Sequence, residues 1–336
     1  MALAVKIGKE KAEETRKKLI ESNLFDSEYK ILINGNYVLL PVIGKPEGFE
    51  VVDIPLKKRK KRKSFRDRLG EILTENEISQ VRTSFDLIGD IAVVEIPPDL
   101  EKKEKEIARA LLDSVKAVKA VFKKEGSVYG SERIRKLKYL AGEHRSETVH
   151  TENGIKLKLD IKEVYFSPRL SYERLRVLSR VNDGEIIVDL FAGIGPFALL
   201  IAKNRKVKVY AMDINARAIE YLKENVKLNR LEGEVIVIHG DAMKVAPQRV
   251  ADRVIMNLPK KSHEFLPLAF DVLKEKGGVI HFYTIAPEEE LFAQGERIIK
   301  RTAEEKGVIA RIENSKVVRS YSPGNYHVVF DIRVVS

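Results

Sequence analysis

Residues 188–197 read VDLFAGIGPF, and the fold turns on them. A β-branched run, Ile186-Ile187-Val188, ends at an acid, Asp189. Gly193 and Gly195 follow in a tight turn, and the apolar segment ALLIAKN continues with helical character. Strand, glycine turn and helix in that order bring the backbone against a ligand. Gly193 to Ala198 fits G-x-G-x-x-A, which alone is a weak dinucleotide fingerprint. Asp213 ends the next strand, where a carboxylate can accept hydrogen bonds from ribose hydroxyls. That would suit any ligand carrying adenosine.

Three further features separate the candidate ligands. Asp189 would repel a pyrophosphate at such close range, whereas it would attract an ammonium and a sulfonium. A third strand ends in Gly240-Asp241-Ala242, whose acid can accept from an adenine amino group, with Ala242 as a backbone neighbour. A fourth ends in Asn257-Leu258-Pro259, a tripeptide that hydride transfer does not require. Any one of these could be an ordinary strand-end residue, but four successive strand ends of functional type favour S-adenosylmethionine over NAD.

Working outward, the alternation of strand and helix from about residue 170 predicts a parallel, doubly wound sheet. The last two strands turn at Pro323-Gly324-Asn325 and add an antiparallel hairpin. The fold class expected is therefore α/β, a Rossmann-like class I methyltransferase domain over residues 166–336. Two small α+β domains are expected before it. Residues 1–56 hold a helical segment and short strands, with a hairpin signal at Asn34-Gly35-Asn36. Residues 75–165 mix strands, a helix with apolar residues at helical spacing, and a hairpin at Asn153-Gly154. Between them, residues 57–74 read as a basic linker.

The chain has 336 residues and a formal net charge of +11, to which the run KKRKKRK at 57–63 contributes heavily. Such a run is either a solvated linker or an arm for phosphates, and the two are compatible. No cysteine is present, which excludes disulfides, thiol nucleophiles and thiolate metal sites. The six histidines show no metal-ligand spacing, so no metal is expected. No apolar run has the length of a membrane span and the N-terminus is a poor signal peptide, so a cytoplasmic protein is expected. Charged residues make up 33% of the chain, which hints at a thermophilic source. Nothing suggests a coiled coil, and a monomer is expected.

Several stretches together resemble the archaeal and eukaryotic tRNA (guanine-N1)-methyltransferases that modify the purine 3′ of the anticodon (position 37). They are VYFSPRLSYERLRV, VDLFAGIGPFAL, AMDINARAIEYLKENVKLN, MNLPKKSHEFL and SYSPGNYHVVFDIRV, with ERIRKLKYLAGE and TVHTENGIKLKLDI upstream. The likeness covers roughly residues 75–336, and FSPRLSYER with NLPK is its most specific part. A branch of the same family methylates a tricyclic wyosine precursor at that tRNA position.

The resemblance implies S-adenosylmethionine as cofactor and tRNA as partner. It makes Glu173 the base that takes the proton from guanine N1; Arg133, always charged and with fork-like donors, is the candidate to stabilise charge on O6, and Arg135 is close enough to be confused with it. Without the resemblance, Glu173 would read as a surface helix glutamate paired with Arg169 or Arg176. Asn257 would hold the guanine edge, Pro259 would stiffen that loop, and Arg169 and Tyr326 would contact the substrate. Arg174 would meet the donor's carboxylate, and Phe191 would line its pocket. Gly193, Gly195, Asp189, Asp213, Ile214, Asp241 and Ala242 complete the donor site. The competing readings are an NAD-dependent oxidoreductase, a methyltransferase of proteins or small molecules, and a non-catalytic RNA-binding protein.

Overall fold

A computed structural model describes residues 1–59, 63–126 and 136–335. The chain divides into two compact units, Met1–Ser64 and Phe65–Ser336.

The first unit is an antiparallel four-stranded sheet carrying the helix Ala12–Glu21. Strands Leu32–Asn34 and Tyr37–Pro41 meet at the expected hairpin, where Gly35 takes φ +56°. The sequence pattern alone does not reveal the strand Ala2–Gly8, although it lies at the centre of this sheet. Leu19 of the helix packs on Val5, Val38 and Leu40. Lys30, Lys57, Lys58 and Arg59 line one depression of this unit; residues 60–62 of the basic run lie outside the described residues.

The second unit holds a small sheet of four strands, a hairpin and a large sheet of seven strands. The large sheet contains β1 (Ile186–Asp189), β2 (Lys208–Asp213), β3 (Glu234–His239), β4 (Arg253–Met256), β5 (Gly278–Pro287), β6 (Ile309–Ser322) and β7 (Asn325–Val335). Their order is β3-β2-β1-β4-β5-β7-β6. The first five are parallel, and β7 and β6 close the sheet antiparallel, as expected. The strand order switches direction between β1 and β4, so the crevice at their carboxyl ends is where this topology takes a ligand.

Helices cover both faces, which explains why β1 and β4 are continuous buried runs rather than alternating ones. α1 (Ser171–Leu178) and α2 (Pro196–Asn204) lie against one core, with α3 (Ala216–Leu228). α4 (Ala242–Val245), α5 (Ser262–Val272) and α6 (Ala293–Lys306) belong to the other side. The hairpin of Glu147–Glu152 and Ile155–Asp160 is tied to α3 through two asparagines. Asn225 and Asn229 each accept from one backbone N–H of the hairpin and donate to one of its carbonyls. Asn225, fully buried, also donates to the Ile194 carbonyl, so the hairpin braces the glycine turn itself.

Candidate active site

The turn after β1 is fixed before any ligand arrives. Leu190 N–H donates to the Ile255 carbonyl and Ala192 N–H to the Met212 carbonyl, which pins it to β4 and β2. Gly193 takes φ +56° and donates its N–H to Asp213 Oδ2 at 2.7 Å. Gly195 takes φ +89° at the N-terminal end of α2, with Pro196 at the first helical position. The two glycines serve different ends. A Cβ on Gly195 would lie 2.2 Å from Leu222 Cδ1, inside the core. A Cβ on Gly193 would meet nothing nearer than the Tyr165 carbonyl oxygen at 3.8 Å. Gly195→Ala is therefore expected to cost roughly 1–3 kcal/mol of stability through left-handed strain and overpacking. Gly193→Ala should lower stability less and instead weaken donor binding; denaturant unfolding and calorimetry on both variants check the split.

A cleft of about 240 Å³ opens beside this turn. Phe191, Gly193, Asp213, Ile214, Asp241, Ala242 and Asn257, all candidates from the sequence, line it. Phe191 meets Phe265 edge to face, ring centres 4.9 Å apart, and forms one wall. Asp213 accepts from Gly193 N–H on one oxygen and from Asn215 N–H on the other, so it braces the turn while facing the cleft. Asp241 caps α4 by accepting from Met243 N–H. The loop after β4 is held by buried Ser262, whose hydroxyl donates to the Met256 carbonyl at 2.9 Å. Pro259 is buried there rather than lining the cleft.

Other cleft residues do not stand out in the sequence: Tyr165, Lys260, Lys261 and Glu264 among them. Tyr165 sits within VYFSPR and Lys260 within NLPKK, so the signal is in the quoted stretches, but side-chain direction is not. The Lys260 ammonium lies 5.7 Å from the centre of the Tyr321 ring at the cleft's edge.

Asp189 lies behind the cleft, 1% exposed. Among the described residues its Oδ2 is buried without a hydrogen-bond partner, and Oδ1 accepts only from Phe191 N–H at 3.4 Å. Burial pushes its carboxyl up to about 7, and the charge of Asp213 adds to the rise. This orphaned oxygen, the open face of Gly193, Asp213 at the end of β2 and Asp241 just after β3 fit a cationic ligand that carries adenosine.

Glu173 lies on the first turn of α1, 3% exposed, and does not line the cleft. It accepts from Arg176 Nε at 2.8 Å and Nη2 at 2.7 Å, and from the Tyr283 hydroxyl at 2.6 Å. The pairing with Arg176 is one of the two, with Arg169, that helical spacing alone suggests.

Arg174 requires a correction. It is 1% exposed, its Nε and Nη2 donate to the two oxygens of Glu152, and it also donates to the Ser167 carbonyl. Four of its five N–H donors are thus spent within the protein, and it does not line the cleft. Arg169 donates to Asp86 with its side chain half exposed, away from the cleft lining. Tyr326, on β7 opposite Ala286 of β5, packs against the core. Arg133 lies outside the described residues. Among the described residues no group of side chains could hold a metal ion, and no helix is long and apolar enough to cross a membrane.

Three regions of the chain match known domains. Residues 148–310 match the TRM5/TYW2 methyltransferase domain, 65–145 the TYW2 N-terminal domain and 4–50 the tRNA methyltransferase 5 N-terminal domain. Over 336 aligned residues the chain is 43% identical to tRNA (guanine(37)-N(1))-methyltransferase Trm5b of Pyrococcus abyssi, covering 99% of each. The chain belongs to the TRM5/TYW2 methyltransferase family. Its fold resembles that of a crystal structure of that Trm5b with a TM-score of 0.76, covering 100% of both chains. A relative solved as a complex of aTrm5 and tRNALeu gives 0.74 at 40% identity, with 98% of this chain and 99% of that one covered. Taw21 of Saccharolobus solfataricus, a tRNA 4-demethylwyosine(37)-methyltransferase, is 39% identical across 74% of this chain and 92% of its own.

Proposed function

We propose that this chain transfers a methyl group from S-adenosylmethionine to N1 of the guanosine 3′ of the anticodon of tRNA, position 37. The observation that carries this reading is the likeness to Trm5b over the whole chain, residues 4–50 included. The likeness to Taw21 reaches only 74% of the chain. The cleft beside β1 and β4 supports the same reading from its chemistry.

When bound, S-adenosylmethionine supplies a methyl on a sulfonium: the carbon–sulfur pair stays with sulfur as guanine N1, having lost its proton, bonds the methyl carbon. The chain's own residues then have three tasks. Phe191, Gly193, Asp213 and Asp241 hold the donor in one orientation, and an in-line displacement depends above all on such positioning. Asn257 hydrogen-bonds the guanine edge. Glu173 removes the N1 proton, because neutral guanine is a poor nucleophile there. Arg133 would meet the charge that builds on O6. The target base has to leave the stack of the anticodon loop to reach the cleft. Lys30, Lys57, Lys58 and Arg59 supply phosphate contacts on the first unit.

The test is methyl transfer with labelled donor onto unmodified tRNA transcripts bearing G or A at position 37, followed by nucleoside analysis. Label in N1-methylguanosine from the G transcript alone is expected. Glu173→Gln should slow single-turnover transfer at least about 100-fold. Donor binding with no label in either transcript would overturn the substrate reading.

A further inference from the structure

The carboxylate of Glu173 is surrounded by donors of a particular kind and number. Oε1 accepts from both the Tyr283 hydroxyl and Arg176 Nη2, which uses its two lone pairs. Among the described residues, Oε2 accepts from Arg176 Nε alone. One acceptor site therefore remains open, and it is on Oε2.

Arg176 is itself held from the far side. Its Nη1 donates to Asp331 Oδ2 at 2.6 Å and its Nη2 to Oδ1 at 3.1 Å. Asp331, on β7, also receives Asn314 Nδ2 from β6 and pairs with Arg180, which follows α1. Its remaining partner is His281 on β5, whose Nδ1 lies 2.6 Å from Oδ1. His281 Nε2 faces Arg253 Nη1 at 2.9 Å. An arginine can only donate, so Nε2 accepts and Nδ1 carries the proton that bonds Asp331. The ring is thus neutral, in line with burial pulling its basicity down. Arg253 ends the chain on Glu185. The ring of His327 on β7 lies 5.5 Å from that of Tyr283.

We infer that Tyr283 and Arg176 are positioning residues for the proton-accepting step, and that Oε2 of Glu173 is the atom that takes the N1 proton. This rests on Glu173 being the base. Tyr283 and Arg176 together fix both torsional freedom and facing direction of the carboxylate. Arg176 cannot rotate with it, because its other edge is clamped by Asp331 on the rigid sheet. The N1–H bond breaks, its electron pair stays on nitrogen for the methyl carbon, and the proton goes to Oε2. Arg176 offers no acceptor to pass it on, and the Tyr283 hydroxyl meets Oε1 rather than Oε2. The proton therefore leaves from Oε2 itself, after the methylated base has withdrawn.

A double-mutant cycle tests this. Tyr283→Phe keeps the buried ring and removes only the hydroxyl, so folding is checked by Tm and retained. In the wild-type background it should lower the saturating single-turnover rate about tenfold, as loss of a hydrogen bond to a charged group does, with donor and tRNA KM unchanged. In the Glu173→Gln background it should lower the rate no further. Arg176→Lys, which keeps the charge and loses the fork, should follow the same pattern. An equal loss from Tyr283→Phe in both backgrounds, or no loss in either, overturns the inference while leaving the base intact. A Glu173→Gln enzyme of undiminished rate instead overturns the base itself.

Discussion

Arg174→Ala is expected to lower folding stability by about 3–5 kcal/mol while the folded protein binds S-adenosylmethionine with unchanged affinity. The loss is large because of what stays behind. Glu152 is 8% exposed, and removal of its bidentate partner leaves a carboxylate buried with little compensation. Burial alone would raise the Glu152 carboxyl; His150 and Arg174 outweigh it and hold it low. His150 cannot replace the lost charge. Its Nδ1 accepts from Gly89 N–H, so the ring is a neutral donor, with Nε2 at 3.5 Å from Glu152. The Ser167 carbonyl loses its donors as well, and the rings of Phe166 and Phe197 lose the cation stacked within 5.2 and 6.0 Å. Arg174→Met with Glu152→Leu should recover much of the stability, since an apolar pair carries no desolvation cost. Denaturant unfolding measures the first effect and calorimetry the second. Normal stability with donor binding lost would return Arg174 to the ligand site.

The contrast between Arg174 and Asp213 shows what a sequence can convey about a site. Residues 188–197 specify strand, turn and helix locally, because the β-branched run, the glycines and Pro196 each favour one backbone state. The residues that end β1, β2, β3 and β4 follow from topology, since a parallel sheet brings its carboxyl ends to one crevice. Phe191, Asp213, Asp241 and Asn257 can therefore be placed before any coordinates. Arg174 cannot. It neighbours Glu173 in sequence, but successive residues on a helix point in directions about 100° apart. Whether a guanidinium points to a ligand or to Glu152, on a hairpin in another part of the fold, depends on long-range packing. The Glu173–Arg176 pair is legible from spacing, whereas its anchor Asp331 comes from β7, more than 150 residues later.

Burial also sets the pH behaviour of Asp189. Its carboxyl sits at about 7 in the folded protein, raised by burial, against 3.8 for an ordinary aspartate. The folded state thus holds a proton that the unfolded chain has released. This contribution is fully present below about pH 4 and is lost as pH rises to about 7, beyond which it changes no further. A rise from 3.8 to about 7 corresponds to about 4 kcal/mol. Asp189→Asn removes the penalty. Without bound donor it should match the wild type near pH 4 and exceed it by a few kcal/mol at pH 8, as unfolding at the two pH values will measure. Donor binding should move the other way. The ionised Asp189 is the form that a cationic donor favours, so wild-type affinity rises as pH approaches 7 and then levels. The Asn variant should bind weakly throughout, without that slope. Identical pH dependence of unfolding in the two proteins would mean that Oδ2 is solvated in a way its burial does not suggest. A stabilised variant that no longer binds would mean that the site keeps an unpaired charge at the expense of stability, for a cation it meets only in the complex.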